Sequence, residues 1–144
     1  RVGAYFFSQA ISPEEAVEEA EFVLKMLKDY EINAPVFFDW EPVSDSEART
    51  AAMTGRLLTD CAQAFCQTIS QAGYTAGVYF NQYQAQEMYR LREMTEDTFW
   101  LAMYEDAMTF PYAMQFWQYS CEGTVPGIDT TVDLNLWFGA AKET

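Results

Sequence analysis

Short apolar runs and stretches of helical periodicity take turns along this chain. Val2–Phe7 reads as a strand. Ser12-Pro13-Glu14-Glu15 then has the form of a helix start, with a capping serine, proline at the first helical position and acids in the first turn. Ala16, Ala20, Val23, Leu24 and Leu27 follow at helical spacing, with Lys25 and Lys28 near the far end. Asn33-Ala34-Pro35 closes that unit, and Val36–Glu41 is the second strand. A polar stretch from Pro42 to Thr54 leads into a second helix whose inner face is Leu58, Cys61, Ala62, Phe65 and Ile69, with Gly73 as its stop. Ala76–Phe80 is a third strand and Gln82–Arg92 a weaker helix. Further strands are expected at Phe99–Tyr104, Ala113–Tyr119 and Val132–Trp137. Such alternation predicts an α/β fold with a parallel sheet and helices packed outside it. No linker, repeat or low-complexity segment interrupts it, so residues 1–144 read as one domain.

Composition narrows the chemistry. Half of the residues are hydrophobic, enough for a real core. The formal charge of −14, from 22 acidic against 8 basic residues, makes nucleic acid and anionic membranes poor partners. No apolar run is long enough to span a bilayer. The absence of histidine removes Ser-His and Cys-His nucleophilic triads and the common His-containing zinc sites. Acid–base work falls to carboxylates, tyrosines or lysines. Cys61, Cys66 and Cys121 have no metal-ligand or redox spacing and read as packed thiols. The first residue is Arg1 and not methionine, which points to a trimmed or processed start.

The most informative stretch is Val36-Phe37-Phe38-Asp39-Trp40-Glu41. Along a strand, residues i and i+2 share a face, so Asp39 and Glu41 are expected side by side, with Cα atoms roughly 6.5–7 Å apart. Two carboxylates that close do not both ionise freely: one tends to keep its proton while the other stays charged. That is equipment for cleaving a glycosidic bond. A bare D-x-E is more often a solvated strand end, but the apolar flank Pro35–Phe38 and Trp40 make this the end of a core strand.

The other strand ends carry similar groups: Tyr5, Tyr79-Phe80-Asn81, Tyr104-Glu105, Trp117-Gln118-Tyr119 and Asp133-Leu134-Asn135. In a β/α barrel or open α/β sheet these ends converge on the ligand site. Aromatic faces, amides and carboxylates together suit a carbohydrate cleft. Any one of the aromatics, taken alone, is better read as core.

These motifs resemble those of the glycoside hydrolase family 25 lysozymes, the Chalaropsis-type muramidases. The likeness runs through Val2-Gly3-Ala4-Tyr5 with Phe7-Ser8, Pro35-Val36-Phe37-Phe38-Asp39-Trp40-Glu41, Ala72-Gly73-Tyr74, Val78-Tyr79, Trp100-Leu101-Ala102, Trp117-Gln118-Tyr119, Gly123–Ile128 and Val132-Asp133-Leu134-Asn135. It implies a β/α barrel that cleaves the β-1,4 bond between N-acetylmuramic acid and N-acetylglucosamine in peptidoglycan, outside the cell or at its wall, and it implies no metal or organic cofactor. Glu41 would be the general acid, Asp39 would orient the 2-acetamido group or a water, and Asp133 would be a further cleft carboxylate. Tyr5, Tyr79, Tyr104 and Trp117 would touch sugar; with Trp40, Gln118 and Asn135 they complete the candidate substrate-binding set.

Two departures from the family pattern shape the expectation. Phe6 stands where the family usually has histidine. The family's barrel also begins with about two β/α units and an aspartate that this chain lacks, so the expected fold is an incomplete barrel of about six strands. Its open edge is expected either to pair with a second copy in a homodimer or to leave a partial, marginal barrel. The alternatives are a glycan-binding form of the same fold without hydrolysis, and an interaction module whose D-x-E is a solvated strand end.

Overall fold

The computed structural model describes residues 1–94 and 98–139. Its elements run β1 (Ala4–Phe7), α1 (Pro13–Leu27), β2 (Val36–Asp39), α2 (Gly55–Gln71), β3 (Ala76–Asn81), β4 (Thr98–Ala102), β5 (Phe116–Gly123) and β6 (Val132–Trp137). The six strands form one sheet in chain order. The sheet is curled, as ring contacts between strands that are not neighbours show. Tyr5 of β1 meets Trp100 of β4 edge-on at 6.0 Å, and Phe37 of β2 meets Phe116 of β5 at 5.3 Å. An incomplete barrel with outer helices is the result.

The local signals act as their chemistry suggests. Ser12 Oγ accepts the Glu15 amide at 3.3 Å, and Glu15 Oε2 reaches back to accept from the Ile11 amide at 2.9 Å. Thr54 caps α2 in the same way through the Leu57 amide. Gly73, at φ 92°, ends α2 in the left-handed region that glycine enters without penalty. Ala16, Ala20 and Val23 of α1 and Leu58, Cys61, Ala62, Phe65 and Ile69 of α2 are buried against the convex face of the sheet. There they meet Val36, Phe38, Trp40, Val78, Phe80 and Leu101, with Phe38 and Phe65 ring centroids 5.4 Å apart.

Four expectations are corrected. β1 to β5 are parallel, but β6 pairs antiparallel to β5. Only residues 124–131 separate the two strands, too short a path for a parallel crossover. Gln82–Arg92 is not a regular amphipathic helix: it contains a π-helical turn at Gln84–Met88 and a 3-10 turn at Leu91–Glu93. The second strand stops at Asp39, so Glu41 lies beyond the ladder. Cys121 is exposed, unlike the buried Cys61 and Cys66.

Candidate active site

Alternation along the strands sends every second side chain to the concave face. From β2 these are Phe37 and Asp39, from β3 Tyr79, from β4 Trp100, from β5 Phe116 and Gln118, and from β6 Asp133, Asn135 and Trp137. Phe37 lies against Trp100 at 5.1 Å, Trp100 against Tyr79 at 4.8 Å, and Phe116 stacks on Trp137 at 5.0 Å. Gly77 makes this packing possible, because a Cβ there would sit 2.5 Å from the Phe37 ring. The lower part of the concave face carries an open pocket of about 270 Å³ that includes Tyr5, Trp100 and Asn135 in its lining.

Above this aromatic floor the polar groups gather. Tyr79 and Tyr104 both donate to Gln118 Oε1, at 3.2 and 2.6 Å. Trp100 Nε1 donates to Asn135 Oδ1 at 2.7 Å. Asp39 is buried, and its Oδ1 has no hydrogen-bond partner among the described residues. Burial pushes its pKa up to about 7, helped by the negative charges of Glu41 and then Asp133. Burial also raises the Tyr79 hydroxyl, with Glu41 adding to the effect. Tyr104 is pushed up to about 12, by burial first and then by Cys121 and Asp133. Two strongly raised tyrosines remain neutral hydrogen-bond donors throughout the physiological range.

The sequence-level candidates therefore divide. Asp39, Glu41, Asp133, Tyr79, Tyr104 and Gln118 meet in one electrostatic neighbourhood, although Glu41 is not a strand residue. Tyr5 and Asn135 lie lower on the same face and touch Trp100. Trp40 and Trp117 do not join them. Being one residue out of phase with Asp39 and Gln118, they point to the convex side. Trp40 is part of the buried core, and Trp117 packs against that core while its Nε1 donates to the Met103 carbonyl at 2.7 Å. Trp100 and Phe37 stand in the family-like motifs but outside the candidate site set, yet they form the floor; their spacing of two from Ala102 and Asp39 carries that information. Among the described residues no cluster of three His, Cys, Asp or Glu side chains is placed to hold a metal. Nor is any described helix long and apolar enough to cross a membrane.

Comparison with known proteins gives a consistent result. The sequence profile described as "Glycosyl hydrolases family 25" matches residues 1–128. The modular autolysin LytC from Streptococcus pneumoniae, solved in complex with a synthetic peptidoglycan ligand, superposes with a TM-score of 0.76 at 25% identity. That match covers 92% of this chain and 33% of the autolysin, so the chain spans about a third of that relative's length. The bacterial lysozyme from Streptomyces coelicolor gives a TM-score of 0.75 at 22% identity, over 96% of this chain and 68% of the lysozyme. The catalytic domain of endolysin ply40, from bacteriophage P40 of Listeria monocytogenes, gives 0.70 at 19% identity, over 92% and 65%. No curated protein sequence matches significantly.

Proposed function

Since the chain belongs to glycosyl hydrolase family 25, we propose that it is a peptidoglycan hydrolase, a muramidase that cleaves the β-1,4 bond between N-acetylmuramic acid and N-acetylglucosamine. The observation that carries this reading is the buried Asp39, in the electrostatic reach of Glu41 and Asp133 at the end of the curled sheet where the parallel strands β1–β5 finish and the antiparallel β6 begins. Glu41, on the open side, delivers the one proton the pair shares to the leaving oxygen, taking it over from Asp39 as the glycosidic bond breaks. Asp39 keeps a proton up to about pH 7 and presents its unpartnered Oδ1 to the substrate's acetamido group or to a water. Asp133 adds negative charge that favours the oxocarbenium-like transition state. Tyr79 and Tyr104 stay neutral and, fixed by Gln118, offer hydroxyls to the sugar, while Tyr5 and Asn135 line the glycan's path. The site of action is the cell wall or the extracellular side. A second copy laid along the edge of β1 would cover the exposed Tyr5 and Phe7 and extend the sheet. Sedimentation as a monomer that binds no hydrophobic dye would count against such a dimer.

The test is release of reducing sugar ends from purified peptidoglycan, comparing wild type with Glu41→Gln. The expected result is release by the wild type, loss of at least about a thousandfold in the variant, and glycan binding retained by both. Equal release by both would remove Glu41 from its role. Binding without release by the wild type would favour the glycan-binding reading.

A further inference from the structure

Asn81 at the end of β3 and Gln84 three residues on form a reciprocal box. The Gln84 amide N–H donates to Asn81 Oδ1 at 2.9 Å, and the Asn81 N–H donates to Gln84 Oε1 at 2.8 Å. This is the capping-box arrangement, in which glutamate serves as well as glutamine because only an acceptor is needed. Here the side chain has a second duty. Its Nε2 donates to the Trp40 carbonyl at 2.6 Å, and Gln84 is 0% exposed. The two ends of the amide are assigned without ambiguity, since the Asn81 N–H requires an acceptor and the Trp40 carbonyl requires a donor. Glutamate would satisfy the box and, when ionised, fail the carbonyl.

The Trp40 carbonyl belongs to the peptide that joins Trp40 to Glu41. The β2 ladder ends at Asp39, so among the described residues that peptide lies outside the strand pairing. One residue earlier the Asp39 carbonyl is held from the opposite side by the Ser8 N–H at 2.7 Å. Ser8 is itself buried, with its Oγ donating to Glu19 Oε2 at 2.6 Å. The Asp39-Trp40-Glu41 segment is thus gripped from β1's end at one carbonyl and from β3's end at the next.

We propose that Gln84 is a positioning residue for Glu41, fixing the Trp40–Glu41 peptide so that the Glu41 carboxyl stays beside Asp39 and Tyr79. The proposal rests on reading Asp39 and Glu41 as the reacting pair. Its effect falls on geometry in the reacting complex, where misplacement by an ångström costs of order a hundredfold in rate.

The test uses wild type, Gln84→Glu and Gln84→Met, each checked for its folded fraction by chemical denaturation. Both variants are expected to lower kcat for reducing-end release by about 10- to 100-fold at pH 7, with KM within about twofold. The ratio of Gln84→Glu to wild type should climb as pH falls, because a protonated Glu side chain regains a donor for the Trp40 carbonyl. The ratio for Gln84→Met should stay flat. An unchanged kcat, or a loss matching only the unfolded fraction, overturns the proposal.

If the wild type releases no ends, the hydrolase reading fails, and the grip is then read without activity from NMR titration of the Asp39 carboxyl. The ionisable groups facing it are Glu41 past β2, Tyr79 on β3, the buried Tyr89 after the π-helical turn and Asp133 on β6. With the peptide released, Glu41 moves off and the Asp39 midpoint in Gln84→Met should fall by about half a pH unit or more. An unchanged midpoint overturns the proposal.

Discussion

Phe37 and Phe38 are neighbours in sequence and face different worlds. Phe38 points to the convex side, where α1 and α2 close over it and it is fully buried. Phe37 points to the concave side, into an aromatic layer that ends at Tyr5 and Phe7, both exposed. The convex face is complete and apolar and holds the fold together. The concave face is open, carries the carboxylates, and leaves Asp39 raised and Oδ1 unpartnered. Stability and chemistry are therefore separated by a single step of the strand's pleat.

Substitutions that cut into one face and spare the other sharpen this contrast. Phe38→Ala should cost about 3–5 kcal/mol in denaturant unfolding, because a buried ring leaves a cavity. Asp39→Asn should do the reverse. The raised value means that the folded chain holds the Asp39 proton more tightly than the unfolded chain does between the ordinary 3.8 and about 7. The stability this contributes is full below that window and is lost as pH rises through it. Asparagine does not titrate, so the variant should exceed wild type by on the order of 2 kcal/mol above pH 7, after allowance for solvent screening, with the gap closing by about pH 4. The other acids are common to both proteins and cancel in the difference. Hydrolysis should also decline as pH rises through about 7 as the pair loses its shared proton; a rate that rises there would break this reading of the concave face.

Smaller effects complete the series. Trp100→Phe removes the bond from Nε1 to Asn135 and should cost about 1 kcal/mol by the same unfolding assay. Tyr5→Ser lies on the open face and should change stability by less than about 0.5 kcal/mol while weakening glycan binding. A large loss of stability from Tyr5→Ser would mean that the concave face is closed in solution, as a dimer would close it.

The convex face was legible in the sequence because helical spacing and capping residues report burial directly: Ser12, Leu58, Phe65 and Gly73 all sit where the pattern places them. The concave face was legible only in part. Asp39, Tyr79 and Gln118 stand out as chemistry at strand ends, but Trp40 and Trp117 look equally suited to sugar until the two-residue period assigns them to the other side. The reversal of β6 was written in the short path through Pro126 and Gly127, and strand alternation overrode it. Gln84 was hidden for a different reason. A glutamine within an amphipathic stretch reads as solvated, and only the box with Asn81 turns it inward toward the Trp40 carbonyl.

The order of strands in the sheet is the order of strands in the chain. During synthesis each new strand from β2 onward emerges to find its earlier partner already made, and no later strand must be threaded between two older ones. Growth of this kind keeps loop closures short and lets the sheet lengthen step by step as the ribosome delivers it, much as a zipper closes behind its slider.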